Sequence, residues 1–150
     1  LLMRIAAKGR YALASAIYMA QQYGTGEYIT VISISEKLGI SKIYLEQVFS
    51  LLKRAGLVTS VKGAQGGYLL ARAPAQITAL DLLMAVETSL FEQVEGTVRE
   101  KAPDIDEAMR EAVFEKLDSA VRAVLSKITL EDLANEAEKH KGEQAIMFYI

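Results

Sequence analysis

The sequence predicts a mainly α-helical chain with one small β-hairpin (an α+β fold), and three patterns predict it. Two helix-periodic segments meet through a short glycine-bearing turn, Gly39-Ile40-Ser41. Two β-favouring runs flank a glycine-rich hexapeptide, Lys62-Gly63-Ala64-Gln65-Gly66-Gly67. An apolar stripe then recurs at three- and four-residue steps from Ile105 to Ile128. The first two patterns describe a winged helix-turn-helix, and the third a long C-terminal helix suited to dimerisation.

The first helix spans residues 8–23, where Tyr11, Leu13, Ala14, Ile17, Tyr18, Met19 and Ala20 follow helical spacing and Gly24 and Gly26 end it. Ser33-x-x-Glu36 has the form of a capping box, with the hydroxyl accepting a backbone N–H and the carboxylate reaching back. That places a short second helix ending near Leu38. Gly39 supplies a left-handed backbone position and Ser41 caps again. A third helix follows through Ile43, Leu45, Val48, Leu51, Leu52 and Ala55, stopped by Gly56. In such a pair the second helix is the one that enters the major groove.

Residues 57–61 and 68–71 are strands of a hairpin, the wing. Pro74 closes the unit. A helix over 78–87 covers it, with Ala79, Leu82, Leu83 and Val86 facing inward. The polar, aperiodic stretch 89–103 reads as a linker. From 104 to 128 the stripe Ile105, Met109, Val113, Leu117, Ala120, Val121, Val124 and Ile128 predicts a helix about 37 Å long at 1.5 Å per residue. The winged unit is too small to cover it, so a second copy in a two-fold dimer is the expected partner. Ile105, Met109, Val113, Leu117, Val121, Val124 and Ile128 form that interface. A last helix starts at the Thr129-x-x-Asp132 cap and ends at Gly142. The expected organisation is a winged unit over 3–88, a linker over 89–103, dimerisation helices over 104–141 and an apolar tail over 142–150. Leu1 and Leu2 precede Met3 and receive no structural role.

Composition narrows the function. The hydrophobic fraction of 51% is that of a folded chain. No apolar run reaches the roughly 18 to 20 residues a membrane span needs, and no signal peptide is apparent, so a soluble cytoplasmic protein is expected. The absence of cysteine excludes disulfides, thiol nucleophiles and thiolate-held clusters. Charge is lopsided: residues 1–72 hold nine basic and three acidic side chains, a balance of +6, leaving −8 for the rest of a chain whose total is −2. A polyanion is drawn to the first half and repelled by the second.

On the third helix the polar face presents Lys42, Tyr44, Glu46, Gln47 and Ser50, with Ser41 at its start. Glutamine pairs bidentately with adenine, glutamate accepts from the cytosine amino group, and lysine or tyrosine anchors on phosphate. A wing tip of small residues, Gly63, Gln65 and Gly66, can enter a minor groove beside Lys62, with Tyr68 at its foot. Lys8 and Arg10 are candidate phosphate contacts at the start of the first helix. No metal ligands are expected.

Three runs carry a family resemblance: Met3-Arg-Ile-Ala-Ala-Lys-Gly-Arg-Tyr-Ala-Leu, Ile40-Ser-Lys-Ile-Tyr-Leu-Glu-Gln-Val-Phe-Ser-Leu-Leu-Lys-Arg-Ala-Gly-Leu-Val and Val61-Lys-Gly-Ala-Gln-Gly-Gly-Tyr-Leu-Leu. They resemble the Rrf-two family of bacterial repressors over nearly the full length. The resemblance implies that Tyr44, Glu46 and Gln47 lie in the major groove and that Lys62 is the basic wing residue. Ile43 departs from the serine that iron-sulfur relatives often carry in this segment. Many members hold an iron-sulfur cluster on three cysteines after the fourth helix, around residues 89–103 here, and this chain has none. His140 alone cannot replace them, and a histidine near a helix C-terminus suits the helix dipole. No cofactor is expected.

The cluster-free branch of that family, which represses cysteine metabolism, is the one the chain looks most like. Its members form a complex with cysteine synthase, whose substrate pocket accepts C-terminal isoleucine carboxylates. Here the end, Ala145-Ile-Met-Phe-Tyr-Ile150, is apolar to its last residue. Phe148, Tyr149 and Ile150 are therefore expected to dock on that enzyme, with packing of the tail on the chain's own dimer as the alternative.

Four other readings compete. An enzyme lacks support, since no Walker motif, metal cluster or Ser/His/Asp set is present, and Gly63-x-x-Gly66-Gly67 sits between strands, not on a strand-to-helix turn. An RNA-binding module is suggested by Gly63-Ala64-Gln65-Gly66, yet the loop of that kind joins two helices. An adaptor without DNA binding, and a regulator of the same family with a different regulon, stay open.

Overall fold

A computed structural model of the chain describes residues 5–63, 66–87 and 96–149. Its first half is α1 (Ala7–Gln21), α2 (Val31–Leu38), α3 (Lys42–Arg54), β1 (Val58–Val61), β2 (Gly67–Leu70), a 3-10 turn (Pro74–Gln76) and α4 (Ala79–Val86). The second half is α5 (Thr97–Lys101), α6 (Pro103–Met109), a π turn (Arg110–Phe114), α7 (Glu115–Ser126) and α8 (Leu130–Tyr149). The fold is the winged helix that the sequence predicts. Among the described residues no helix is long and apolar enough to cross a membrane.

Helix α2 begins three residues earlier than the Ser33 box requires. Thr30 is its cap, its Oγ1 accepting the Ser33 N–H at 3.0 Å, while the Ser33 hydroxyl donates back to the Thr30 carbonyl at 2.8 Å. Val31 and Ile32 extend the helix because a β-branched residue costs little in a first turn, and Glu36 is left exposed. Gly39 closes α2 at φ +70°. The turn is locked by the Ser35 hydroxyl, which donates to the Ile40 carbonyl at 2.6 Å. Ser41 caps α3 as expected, its Oγ accepting the Tyr44 N–H at 3.2 Å.

The strands pair antiparallel, Val58 opposite Leu70 and Val61 opposite Gly67. Ile29 adds a bridge to Tyr68, whose ring lies on Phe49 at 4.7 Å between centroids. Phe49, Ile34, Leu45, Val48, Leu52, Ile77, Leu82 and Leu130 make one core. On α1 the fully buried positions are small, Gly9, Ala12, Ser15 and Ala16, with Met19. The tyrosines and leucines expected there are only half-buried, because α1 is packed by α2, α3, α4 and α8 and needs slim faces.

Several expectations in the second half are corrected. Residues 97–101 of the supposed linker are helical; residues 89–95 of it lie outside the described residues. The long helix starts at Pro103, which suits a first helical position. It runs to Ser126, about 36 Å at 1.5 Å per residue. It is interrupted at Arg110–Phe114, where the extra residue of a π turn brings positions i and i+5 together, so that Arg110 pairs with Glu115 as well as Glu107. Ile128 lies past the helix end, its carbonyl accepting the Ala79 N–H at 2.8 Å.

Gly142 does not end the last helix. Its backbone stays helical and α8 continues to Tyr149; a single glycine costs roughly 1 kcal/mol against alanine, too little to stop a helix. His140 is accordingly mid-helix, set between Glu136 (3.1 Å) and Glu143 (3.4 Å), and not at a C-terminus. Helix α8 is tied to the winged unit at its start. The Leu130 N–H donates to the Ile77 carbonyl at 2.7 Å, and Thr129 and Asp132 form a reciprocal cap. Those hydrogen bonds, the Thr129 backbone N–H first and its hydroxyl second, hold the exposed Asp132 carboxyl below the ordinary value.

Candidate nucleic-acid interface

The face of α3 opposite the core is what a reading helix requires. Leu45, Val48, Phe49 and Leu52 are fully buried, and Ser41, Lys42, Glu46, Gln47 and Ser50 are exposed. Lys42 and Glu46 are one turn apart and their charged ends lie 3.9 Å from each other. At that distance and exposure the pair holds its side chains loosely, so either charge can be taken by a nucleic acid. Ser41 spends its oxygen on the helix cap, and its hydroxyl proton is left to donate. Tyr44 is half-buried, its ring edge-on to Tyr11 at 5.0 Å. It is a strut between α1 and α3 more than a free polar side chain.

Beside this face lies an open cleft of about 390 Å³ between the start of α2, α3 and the wing. Thr30, Ile32, Lys42, Glu46, Ser60 and Gly67 line it. Lys62 and Gly63 are exposed at the rim of the hairpin and Gly66 is half-buried; Gln65 lies outside the described residues. Tyr68 is held by Phe49 and by both backbone bonds to Ile29, so its side chain is part of the wing's foundation. Lys8 and Arg10 are exposed in the first turn of α1, whose start has neither a side-chain cap nor an acidic residue. The unpaired N–H groups there favour an anion.

Two residues escape a reading of the sequence. Ile43, counted with the core stripe, is 72% exposed. It stands two residues before the buried Leu45, about 200° round a helix turning 100° per residue, which was the available signal. An exposed isoleucine there offers apolar contact of the kind a thymine methyl makes. Ile32, 54% exposed on the cleft, had no such signal, because the helix starts before the position its sequence suggests.

The residues assigned to the dimer stripe divide. Ile105, Val113, Leu117 and Val124 are exposed, joined by Phe114 at the end of the π turn. Met109, Val121 and Ile128 are half-buried within the chain. At the C-terminus Ile146, Met147 and Phe148 are exposed; Ile150 lies outside the described residues, as does the side chain of Tyr149.

The Rrf2 family profile, described as an iron-dependent transcriptional regulator, matches residues 5–136. The chain belongs to the Rrf2 family. Among its Rrf2 relatives, the HTH-type transcriptional regulator CymR of Bacillus subtilis (strain 168) is 40% identical over 149 residues, covering 99% of this chain and 100% of the relative. The solved structure of CymR, the global cysteine regulator of B. subtilis, matches with a TM-score of 0.70 at 37% identity over 90% of this chain and 98% of that one. The IscR structure of T. potens matches with a TM-score of 0.71 at 36% identity, covering 92% and 90%. This Rrf2 protein is a transcriptional regulator and not an enzyme.

Among the described residues the iron of the family's description finds no matching donors. The chain has no cysteine, its one histidine lies between two glutamates on α8, and among the described residues no group of three His, Cys, Asp or Glu side chains is placed to hold a metal. A thiolate-held cluster does not fit this sequence.

Proposed function

We propose that this regulator is a sequence-specific DNA-binding repressor that acts in the cytoplasm as a two-fold dimer. One observation carries the reading: α3 buries Leu45, Val48, Phe49 and Leu52 while exposing Lys42, Glu46, Gln47 and Ser50 beside a wing that bears Lys62. Glu46 and Gln47 read base edges, Ser41, Lys42, Tyr44 and Ser50 support them, Lys62, Gly63, Gln65 and Gly66 follow the neighbouring groove, Tyr68 anchors the wing, and Lys8 and Arg10 meet phosphates. The winged unit over 3–88 does the reading and the helices over 104–141 the assembly. The exposed Ile105, Val113, Leu117 and Val124 support a second copy as their cover. Selection of duplexes from a random-sequence library tests this: the expected product is an inverted repeat with half-sites about one helical turn apart, and no enrichment of any sequence contradicts it.

The regulated genes are, in this reading, those of cysteine and sulfur metabolism. The 40% identity to CymR, described with its solved structure as the global cysteine regulator of B. subtilis, supports it. The apolar C-terminus supports a further partner, cysteine synthase, captured through Phe148, Tyr149 and Ile150. Ile146 and Met147 are exposed on the same run. Removing the last four residues abolishes capture of the purified enzyme; undiminished capture removes the partner.

A further inference from the structure

Helix α1 has no cap of its own, yet its first turn must be held in place if Lys8 and Arg10 are to meet phosphates. The structure offers one tight contact for the purpose. Gly9 is fully buried. A methyl group there would overlap Glu87 Oε1 at the end of α4 and would stand 2.7 Å from Ile5 Cγ2 and 2.9 Å from Leu83 Cδ2. Real side-chain carbons do not approach so closely, so a methyl at Gly9 displaces the ends of the Glu87, Ile5 and Leu83 side chains that close over the α1 backbone. Glu87 Oε1 is itself buried without a hydrogen-bond partner. Beside it lies Gly9 in the first turn of α1, whose capping residue Ala6 supplies no side-chain hydrogen bond.

Helix α4 is a firm wall for this contact. It starts with a reciprocal Thr78–Asp81 cap and buries Leu82, Leu83 and Val86. On the other side of the contact, Lys8 and Arg10 flank Gly9 in sequence, and just beyond them Tyr11 meets Tyr44 of α3. Displacing the first turn of α1 therefore moves two cations directly and the reading helix through one ring contact.

We propose that Gly9 and Glu87 form a size-matched seat that positions Lys8, Arg10 and, through Tyr11 and Tyr44, the reading helix for DNA. Both are positioning residues, and neither touches the nucleic acid. The inference rests on the DNA-binding reading above. It deepens that reading by naming what sets the geometry of α1.

The test is a compensating pair, titrated by fluorescence anisotropy against a duplex that the unsubstituted chain has selected, at several salt concentrations. Gly9→Ala overfills the seat and Glu87→Ala empties it. Each flattens the plot of log affinity against log salt, by about 0.9 for each phosphate that is no longer neutralised and by up to about 1.8 when both cations are displaced. In Gly9→Ala/Glu87→Ala the tightest overlap, with the carboxyl, is gone while those with the Ile5 and Leu83 methyls remain, and part of the slope returns. Loss of fold alone lowers the active fraction and leaves the slope unchanged, and thermal melts monitor it. Glu87→Ala adds no bulk and stays informative if Gly9→Ala fails to fold. Single variants with the parent's slope, or a double variant no better than the worse single one, overturn the seat. If the unsubstituted chain selects no duplex, the DNA-binding reading fails and the seat is not the cause.

Discussion

Replacing Leu117 with alanine tests the assembly of this regulator on a quantity the single chain supplies. Leu117 is 54% exposed, although it lies in the middle of an apolar stripe with Val113 and Val124. Fully burying a leucine side chain contributes about 1.5 to 3 kcal/mol, so covering the exposed half contributes about 1 to 1.5 kcal/mol per copy. A two-fold interface counts each substitution twice, which gives about 2 to 3 kcal/mol per dimer, or a dissociation constant roughly 30 to 150 times higher. Sedimentation equilibrium over a range of concentrations measures that constant directly. The exposed neighbour Lys116, changed to alanine, is the control and leaves it within about twofold. A Leu117→Ala chain that dimerises as tightly as the parent refutes the assignment of this stripe to the dimer.

Lys62→Ala weakens binding to all duplexes alike and flattens the salt slope by about 0.9, read by anisotropy at four salt concentrations. Thr30→Ala removes the cap of α2 and lowers stability by about 0.5 to 2 kcal/mol in urea melts, while Ser33→Ala, which loses only a donation back to the Thr30 carbonyl, lowers it less. The Asp132 carboxyl is held below the ordinary value by Thr129, so its contribution is full above the unfolded carboxylate range and is lost as pH falls through the depressed folded value. The gap in melting temperature between the parent and Asp132→Asn is therefore present at neutral pH and closes at acid pH; a gap independent of pH contradicts the cap.

The parts legible in the sequence are those where one pattern dictates one geometry. Gly39 and Ser41 fix the turn before α3, and a four-residue strand on either side of a glycine-rich loop leaves little besides a hairpin. The capping residue of α2 is harder to read, because Thr30 and Ser33 are both hydroxyl residues with an acid or a hydroxyl within three positions. The N–H that Thr30 reaches decides between them. The faces of α1 mislead for a different reason. Period alone finds apolar residues, and a helix packed by α2, α3, α4 and α8 buries its smallest ones, Gly9, Ala12, Ser15 and Ala16. The π turn has no signal in the sequence, and the Arg110 pairs with Glu107 and Glu115 are legible only once the helix is known to be interrupted.

At the site, Lys42, Glu46, Gln47, Ser50 and Lys62 are predicted from the sequence as exposed polar residues and are exposed. Tyr44 and Tyr68 are predicted there on chemical type, and their rings turn inward to Tyr11 and Phe49. An aromatic residue with a polar tip serves packing and recognition equally well in one dimension, and the neighbour across the fold settles the balance.

The most direct measurement is the affinity of the Gln47→Ala chain for the selected duplex and for every single-base variant of its half-site. A base-reading Gln47 predicts a loss of about 1 to 3 kcal/mol on the parent duplex and a relaxed base preference at one position of each half-site. Equal affinity of parent and variant across the whole set means that the exposed face of α3 is not what reads the sequence.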